Sequence, residues 1–306
     1  STRMNGIAAK CEGAGGASVT QIPLDLRVAS VSGVGTLAEG IVRNLRAQGV
    51  LALRDSVLTS DLLRVRSDGL DGRFTLLANF RSGDYAVGFD GALPGLEIPG
   101  LGRVDLVSNL DARRAQRGGF SVTGTARAAV RRFDNAFLRS LTGGLPLATS
   151  NLQLGSDGIL RLSNLRISSP LLSLSGAGLR RADGTFQLSG SGTHRTYGPV
   201  NVTLDGPIDR PRVTVRLARP LPSAQLSDVT LNLVPTAAGF DFNANGGSLL
   251  GPFTATGQIL LPRNMGAVLD IQRLGVGGTV ARGRLAVANG GLAGQLLVAG
   301  GGLDGS

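Results

Sequence analysis

The segment Tyr85–Gly91, YAVGFDG, decides the fold. Tyr85, Val87 and Phe89 alternate with Ala86, Gly88 and Asp90, so the first three share one face of a strand. Gly91 falls on that same face, where it has nothing to bury. The ending recurs in FSVTG at Gly124, LSLSG at Gly176, FQLSG at Gly190, VNVTLDG at Gly206 and FTATG at Gly257. An inward residue without a Cβ permits a crease in the sheet or a close backbone approach. The plainer alternative is an ordinary turn glycine.

Working outward, period-2 alternation dominates the chain. Phe74, Leu76, Ala78 and Phe80 form one set. Phe120 and Val122 form another, followed by Leu172 and Leu174, and by Phe186 and Leu188. Then come Val200, Val202 and Leu204, with Val213, Val215 and Leu217 after them. Phe240 and Phe242, Phe253, and Leu285 and Val287 complete the main series. Turn signals such as RSGD, SDG, ADG and ANGG separate the sets, and such short links imply antiparallel neighbours. At one strand per dozen residues, the chain holds on the order of 20 strands. A flat sheet of that size would twist, curl or split, and its apolar face must be hidden. The economical solution is an all-β sheet folded lengthwise so that the apolar face lines a trough. Two segments instead carry helical spacing: 36–48, with Leu37, Ile41, Val42 and Leu45, and 134–142, with Asp134 as N-cap and Gly143 as stop. Their simplest role is to cover open sheet. The expectation is one elongated region over 1–306 that reads as part of a longer chain.

Composition narrows the function. The chain has 306 residues, 47 of them glycine, with no Trp and 4% aromatics, so large aromatic anchors for a deep round core are scarce. The 42% apolar content is too high for disorder. The net charge of +10 suits nucleic acid or anionic head groups, and a GC-rich genome accounts for arginine over lysine. Nucleic acid is disfavoured, because the arginines form no dense basic block beyond pairs such as Arg131–Arg132, and aromatic stacking platforms are missing. No apolar run reaches the length of a membrane span. Cys11 and His194 are the only residues of their kinds, so neither a disulfide nor a zinc site is expected. No G-x-S-x-G elbow opens a helix, and His194 reads as a polar loop residue. The aspartates Asp68, Asp71, Asp157, Asp183 and Asp205 sit in turn contexts. The reading is a non-enzyme with no cofactor and no metal.

The glycine-ended strands, together with IPGLGRVDL (98–106), DGPIDRPRVTVRLARP (205–220), GGSLLGPFTATGQILLP (246–262) and the tail LGVGGTVARGRLAVANGGLAGQLLVAGGGLDG, resemble the periplasmic repeat region of the TamB family in the wider AsmA-like group. The likeness is clearest from Val87 to Gly305. It implies a taco-shaped β-sheet with an apolar interior, in a Gram-negative envelope protein held in the inner membrane by an N-terminal helix. It further implies phospholipid movement between the membranes and outer-membrane protein assembly with a barrel partner of the Omp85 type. The chain shows neither that anchor nor a recognisable barrel-docking segment.

On this reading the inward residues Phe74, Leu76, Phe80, Tyr85, Val87, Phe89, Phe120, Val122, Leu172, Leu174, Phe186, Leu188, Val202, Leu204, Val213, Val215, Leu217, Phe240, Phe242, Phe253, Leu285 and Val287 line a groove for acyl chains. Gly91, Gly124, Gly176, Gly190, Gly206 and Gly257 are its crease glycines. Each buried CH₂ gains about 0.8 kcal/mol, so such a groove needs no specific contacts. The alternative is an autotransporter-like β-helix with a structural or adhesive role, which requires parallel coils. An outer-membrane barrel ranks lower, for want of aromatic girdles.

Overall fold

A computed structural model describes residues 3–11, 19–32, 43–98, 101–115, 118–134, 136–208, 210–220, 225–262, 267–288 and 291–301. These residues form twenty β-strands and one short helix. The pairing is antiparallel, and the sheet is not closed into a barrel. Parallel coils, which the β-helix alternative requires, are not what the strands form. By contact the chain divides into two compact units.

Unit 1 spans 1–98, 103–131 and 149–161. Its strands are β1 (Arg3–Cys11), β2 (Thr20–Ser32), β3 (Leu45–Arg54), β4 (Val57–Arg66), β5 (Asp71–Asn79), β6 (Asp84–Ile98), β7 (Gly102–Arg114), β8 (Phe120–Phe133) and β9 (Leu147–Gly155). The register sets Leu24 of β2 against Gly49, Gly49 against Leu63, Leu63 against Phe74 and Phe74 against Phe89. Period-2 alternation then keeps this row on one face. A two-for-one bulge at Asp61–Leu62 shifts β4 against β5, which preserves Leu63 on the face and turns Leu62 out to 55% exposure.

The helix expected over 36–48 is corrected in its described part. Leu45–Gln48 begin β3 and pair with β2 and β4, while 36–42 lie outside the described residues. Two ladders on either side outweigh the local helical spacing. Phe80 is likewise corrected. It follows β5 in a turn where the Asn79 side chain accepts the Arg81 N–H at 2.9 Å, and it is 65% exposed.

Unit 2 spans 99–102, 132–148 and 162–306. It carries α1 (Ala136–Thr142) and β10 (Leu160–Ser168), β11 (Leu172–Arg180), β12 (Phe186–His194), β13 (Gly198–Gly206) and β14 (Arg212–Leu217). Then follow β15 (Ser227–Pro235), β16 (Gly239–Ser248), β17 (Gly251–Leu260), β18 (Val268–Val276), β19 (Thr279–Ala288) and β20 (Gly291–Gly300). The helix falls within the expected 134–142. Gly143 ends it with φ 67°, a conformation that costs glycine nothing. Asp134 engages the guanidinium of Arg132 at 3.3 Å.

The polar face carries arginine–carboxylate pairs: Arg46–Asp25 at 2.9 Å and Arg284–Asp270 at 3.0 Å join neighbouring strands, and Arg181, in the turn after β11, reaches Asp205 of β13 at 2.8 Å. Exposed pairs of this kind contribute little each, but they fix the register on a face that has no packing of its own. Asp105 has more support. Its carboxylate accepts the Gly95 N–H at 2.8 Å and meets Arg131, and these bonds hold its pKa below the ordinary aspartate value, the backbone bond contributing most. A folded-state pKa lowered in this way adds stability above the unfolded value, near 3.8, and loses it as pH falls through the folded value. Asp105→Asn is therefore expected to lower the melting temperature at neutral pH, with the difference from the parent shrinking as pH falls below the unfolded value and vanishing once the folded carboxylate is protonated. A thermal melt series against pH checks this.

Candidate functional site

The apolar face of unit 2 forms two rows that cross the strands. In the first, Gly176 stands opposite Gly190, Gly190 opposite Val202, Val202 opposite Val215, Val215 opposite Leu231 and Leu231 opposite Ala244. In the second, Leu188 meets Leu204, Leu204 meets Val213, Val213 meets Leu233, Leu233 meets Phe242, Phe242 meets Gly257 and Gly257 meets Ile271. Of the intervening residues, Ser189, Thr203, Asn243 and Arg216 are exposed, while Thr214 and Asn232 are half-buried and hydrogen-bonded to each other at 2.9 Å. The two sides of one sheet thus carry opposite chemistry.

Among the described residues no large side chain is fully buried. Phe74, Leu76, Tyr85, Val87, Phe89, Val122, Leu172, Leu174, Phe186, Leu188, Val202, Leu204, Val213, Val215, Leu217, Phe240, Phe253 and Leu285 are all half-buried, and Phe242 is buried. This is the burial a sheet gives its own face from lateral neighbours alone. The extensive contacts between described strands run between consecutive strands. Phe120 opens β8 at 38% exposure, just after Gly118 and Gly119, and so stands at the sheet margin. The side chain of Val287 lies outside the described residues. A small apolar pocket of about 110 Å³ is lined by Leu165, Ile167, Leu174, Leu188, Val202 and Leu204, with Gly176 and Gly190 at its floor.

The glycines of this face fall into distinct kinds. At Gly257 a Cβ would meet the Asp270 carbonyl and come within 2.8 Å of the Phe242 ring. At Gly176 it would meet the Ser189 carbonyl and come within 2.7 Å of the Gly190 Cα. At Gly124 it would meet the Asn109 carbonyl, with the Leu110 Cα at 2.8 Å. Gly190 is looser, with the Ser175 carbonyl at 3.2 Å. Gly91 lies under the ring of Phe89, and the same ring would stand 2.6 Å from a Cβ on Gly72, its cross-strand partner. Phe89 in turn packs on Phe74, ring centroids 4.7 Å apart. Gly206 would place a Cβ only in ordinary contact, with the Pro211 Cα at 3.8 Å, and has a φ of 116°, so it serves the turn that follows. At Gly257, Gly91 and Gly72 an aromatic ring fills volume a Cβ would have taken, while at Gly176 and Gly124 the neighbouring strand's backbone does.

Leu165 and Ile167 were not singled out by alternation. Asn164, at φ 51°, breaks the period of LRLSNLRIS and moves the apolar residues of β10 by one position.

His194 is corrected from a loop residue to a buried anchor, 3% exposed at the end of β12. Its Nδ1 accepts the N–H groups of Thr196 and Tyr197 at 3.1 and 3.2 Å, so Nε2 carries the proton and donates it to the Leu141 carbonyl of α1 at 2.9 Å. Tyr197 stacks on the ring at 4.5 Å. The Leu171 N–H adds a bond to the Thr142 carbonyl at 3.0 Å. The helix C-terminus is thereby tied to one end of β11 and β12. His194→Ala would leave these buried groups unpaired at about 1–3 kcal/mol. It is expected to lower the melting temperature and speed proteolysis within 134–146, which limited digestion reads directly.

Of the turn aspartates, Asp157 and Asp183 accept the N–H two residues on, at 3.0 and 2.8 Å, while Asp71 and Asp205 pair with Arg66 and Arg181. Asp68 accepts the Asn44 side-chain amide. Among the described residues no helix is long and apolar enough to cross a membrane. Comparison with protein-family models, with curated proteins and with solved structures found no match.

Proposed function

We propose that this chain is a TamB-like β-repeat segment of the Gram-negative periplasm whose apolar sheet face carries or shields phospholipid acyl chains on their way between the two membranes. The observation that carries this reading is the pair of apolar rows, running from Gly176 to Ala244 and from Leu188 to Ile271 through direct cross-strand partners. An acyl chain laid along such a row runs from strand to strand without meeting a polar side chain. Each methylene withdrawn from water gains about 0.8 kcal/mol, and the face asks nothing of the head group. The half-buried state of these residues supports an occupant, because an open apolar face of this extent is otherwise an aggregation hazard. The sequence resemblance supports the same compartment and, in the full-length protein, an inner-membrane anchor and an Omp85-type barrel partner. The sheet face is the groove lining; closing its two sides over the lipid is the taco arrangement the resemblance implies.

The test is to express the chain in the periplasm of a Gram-negative host, purify it without detergent and analyse the extract by mass spectrometry. Co-purifying phospholipid is expected. Folded protein that carries no lipid, and takes up none from vesicles, would sink the proposal.

A further inference from the structure

The strand registers of unit 2 gather its turns at two ends, and the two ends differ in chemistry. One end holds the turns at 181–185 and 207–211, where Arg181 pairs with Asp205 at 2.8 Å and Asp183 accepts the Thr185 N–H. The other end holds the turns at 195–197, 249–250 and 277–278 together with Arg219. Its β16–β17 hairpin turns on Leu249 and Leu250, which are 66% and 67% exposed. Ser248 before the turn and Gly251 after it, at φ 102°, supply the turn chemistry, so the turn itself asks for no apolar residue at 249 or 250.

The tip is held in place. The Ser248 hydroxyl donates to the Gly251 carbonyl at 2.7 Å and accepts the Leu250 N–H at 3.3 Å. The next turn along this end is Gly277–Gly278, which has no side chains to screen the leucines. Arg195 and Arg219 are exposed at the same end, and neither has a carboxylate partner among the described residues. By strand spacing they stand about 19 and 12 Å from the leucine tip. Asp228 is the single acid described there. Tyr197, 38% exposed, adds an amphipathic ring of the kind that settles at a bilayer interface.

We propose that this end of unit 2 docks on an anionic phospholipid bilayer, with Leu249 and Leu250 entering the acyl region and Arg195 and Arg219 meeting head-group phosphates. Apolar insertion plus unpaired cations is the combination by which a protein surface holds such a membrane. The proposal stands apart from lipid carriage on the sheet face: that is read by lipid in the purified protein, and docking is read by attachment to intact vesicles.

The chain contains no Trp, so Leu250→Trp supplies a single reporter, with Ala238→Trp at the opposite end as control. With vesicles of phosphatidylglycerol and phosphatidylethanolamine, the Leu250→Trp emission is expected to shift to the blue and to be quenched by brominated acyl chains, while the Ala238→Trp emission stays unchanged. In flotation of the full chain, Leu249→Ser with Leu250→Ser is expected to reduce vesicle binding about tenfold. Arg195→Gln with Arg219→Gln should reduce it to the level seen on phosphatidylcholine. Circular dichroism of each variant confirms the sheet. An unshifted Leu250→Trp emission, equal shifts at both ends, or flotation unchanged by the leucine pair would overturn the proposal. So would a tip that binds an envelope protein and ignores vesicles.

Discussion

Leu174→Asp or Val202→Asp is expected to empty the protein of lipid, and Thr203→Asp is not. Leu174 and Val202 both line the apolar pocket of β10–β13, and Val202 stands directly between Gly190 and Val215 in the first row. A carboxylate there faces hydrocarbon without a partner and costs several kcal/mol against an occupying chain. It also displaces the methylenes that would have touched the leucine or valine, each worth about 0.8 kcal/mol. The face is only half-buried, so in lipid-free protein the new charge reaches water and the fold survives. Thr203 lies one residue away on the polar side and is exposed. The lipid-to-protein ratio by mass spectrometry should fall at least about tenfold for the inward variants and hold for Thr203→Asp. Equal losses from both sides would refute the assignment of faces.

The largest effect on stability is expected at Gly176. A Cβ at this position falls on the Ser189 carbonyl and within 2.7 Å of the Gly190 Cα. Both obstacles are backbone and cannot rotate away. Gly176→Val therefore forces β11 and β12 apart, at the upper end of the about 1–3 kcal/mol typical of overpacking, a drop of several degrees in melting temperature. Gly275 offers the control. It lies in β18 with nothing nearer than the Thr254 hydroxyl at 3.7 Å, so Gly275→Val should melt close to the parent. If both variants lose stability alike, the crowding account of the sheet glycines fails, and generic strand entropy replaces it.

Alternation made the strands of this protein legible in its sequence. YAVGFDG, FQLSG and VNVTLDG each became a strand with its alternate residues on one face, because one face of an antiparallel strand is dictated by a period of two. What the period could not supply was register and its defects. The bulge at Asp61–Leu62 and the left-handed Asn164 each move an apolar residue by one position, and nothing local in TSDLL or LSNLR announces this. Leu45–Gln48 read as helix because four apolar positions happened to fit a helical stripe, while the ladders on both sides that claim them come from distant residues. Phe80 was one alternation step too far, past an asparagine whose side chain closes the turn. His194 was opaque for a similar reason: its partner at Leu141 lies some fifty residues earlier, in a helix. The glycine endings were visible from the start, but their physical cause is the neighbouring ring or carbonyl that occupies the missing Cβ's place.

The account stands or falls on what touches the apolar rows in the cell. A photo-crosslinking amino acid at Val215, in the middle of the first row, and another at Phe89 in unit 1 should each capture phospholipid on irradiation of intact cells, while the same group at Thr203 captures none. Intact, folded protein that yields no lipid adduct at Val215, or that yields as much at Thr203, would contradict it.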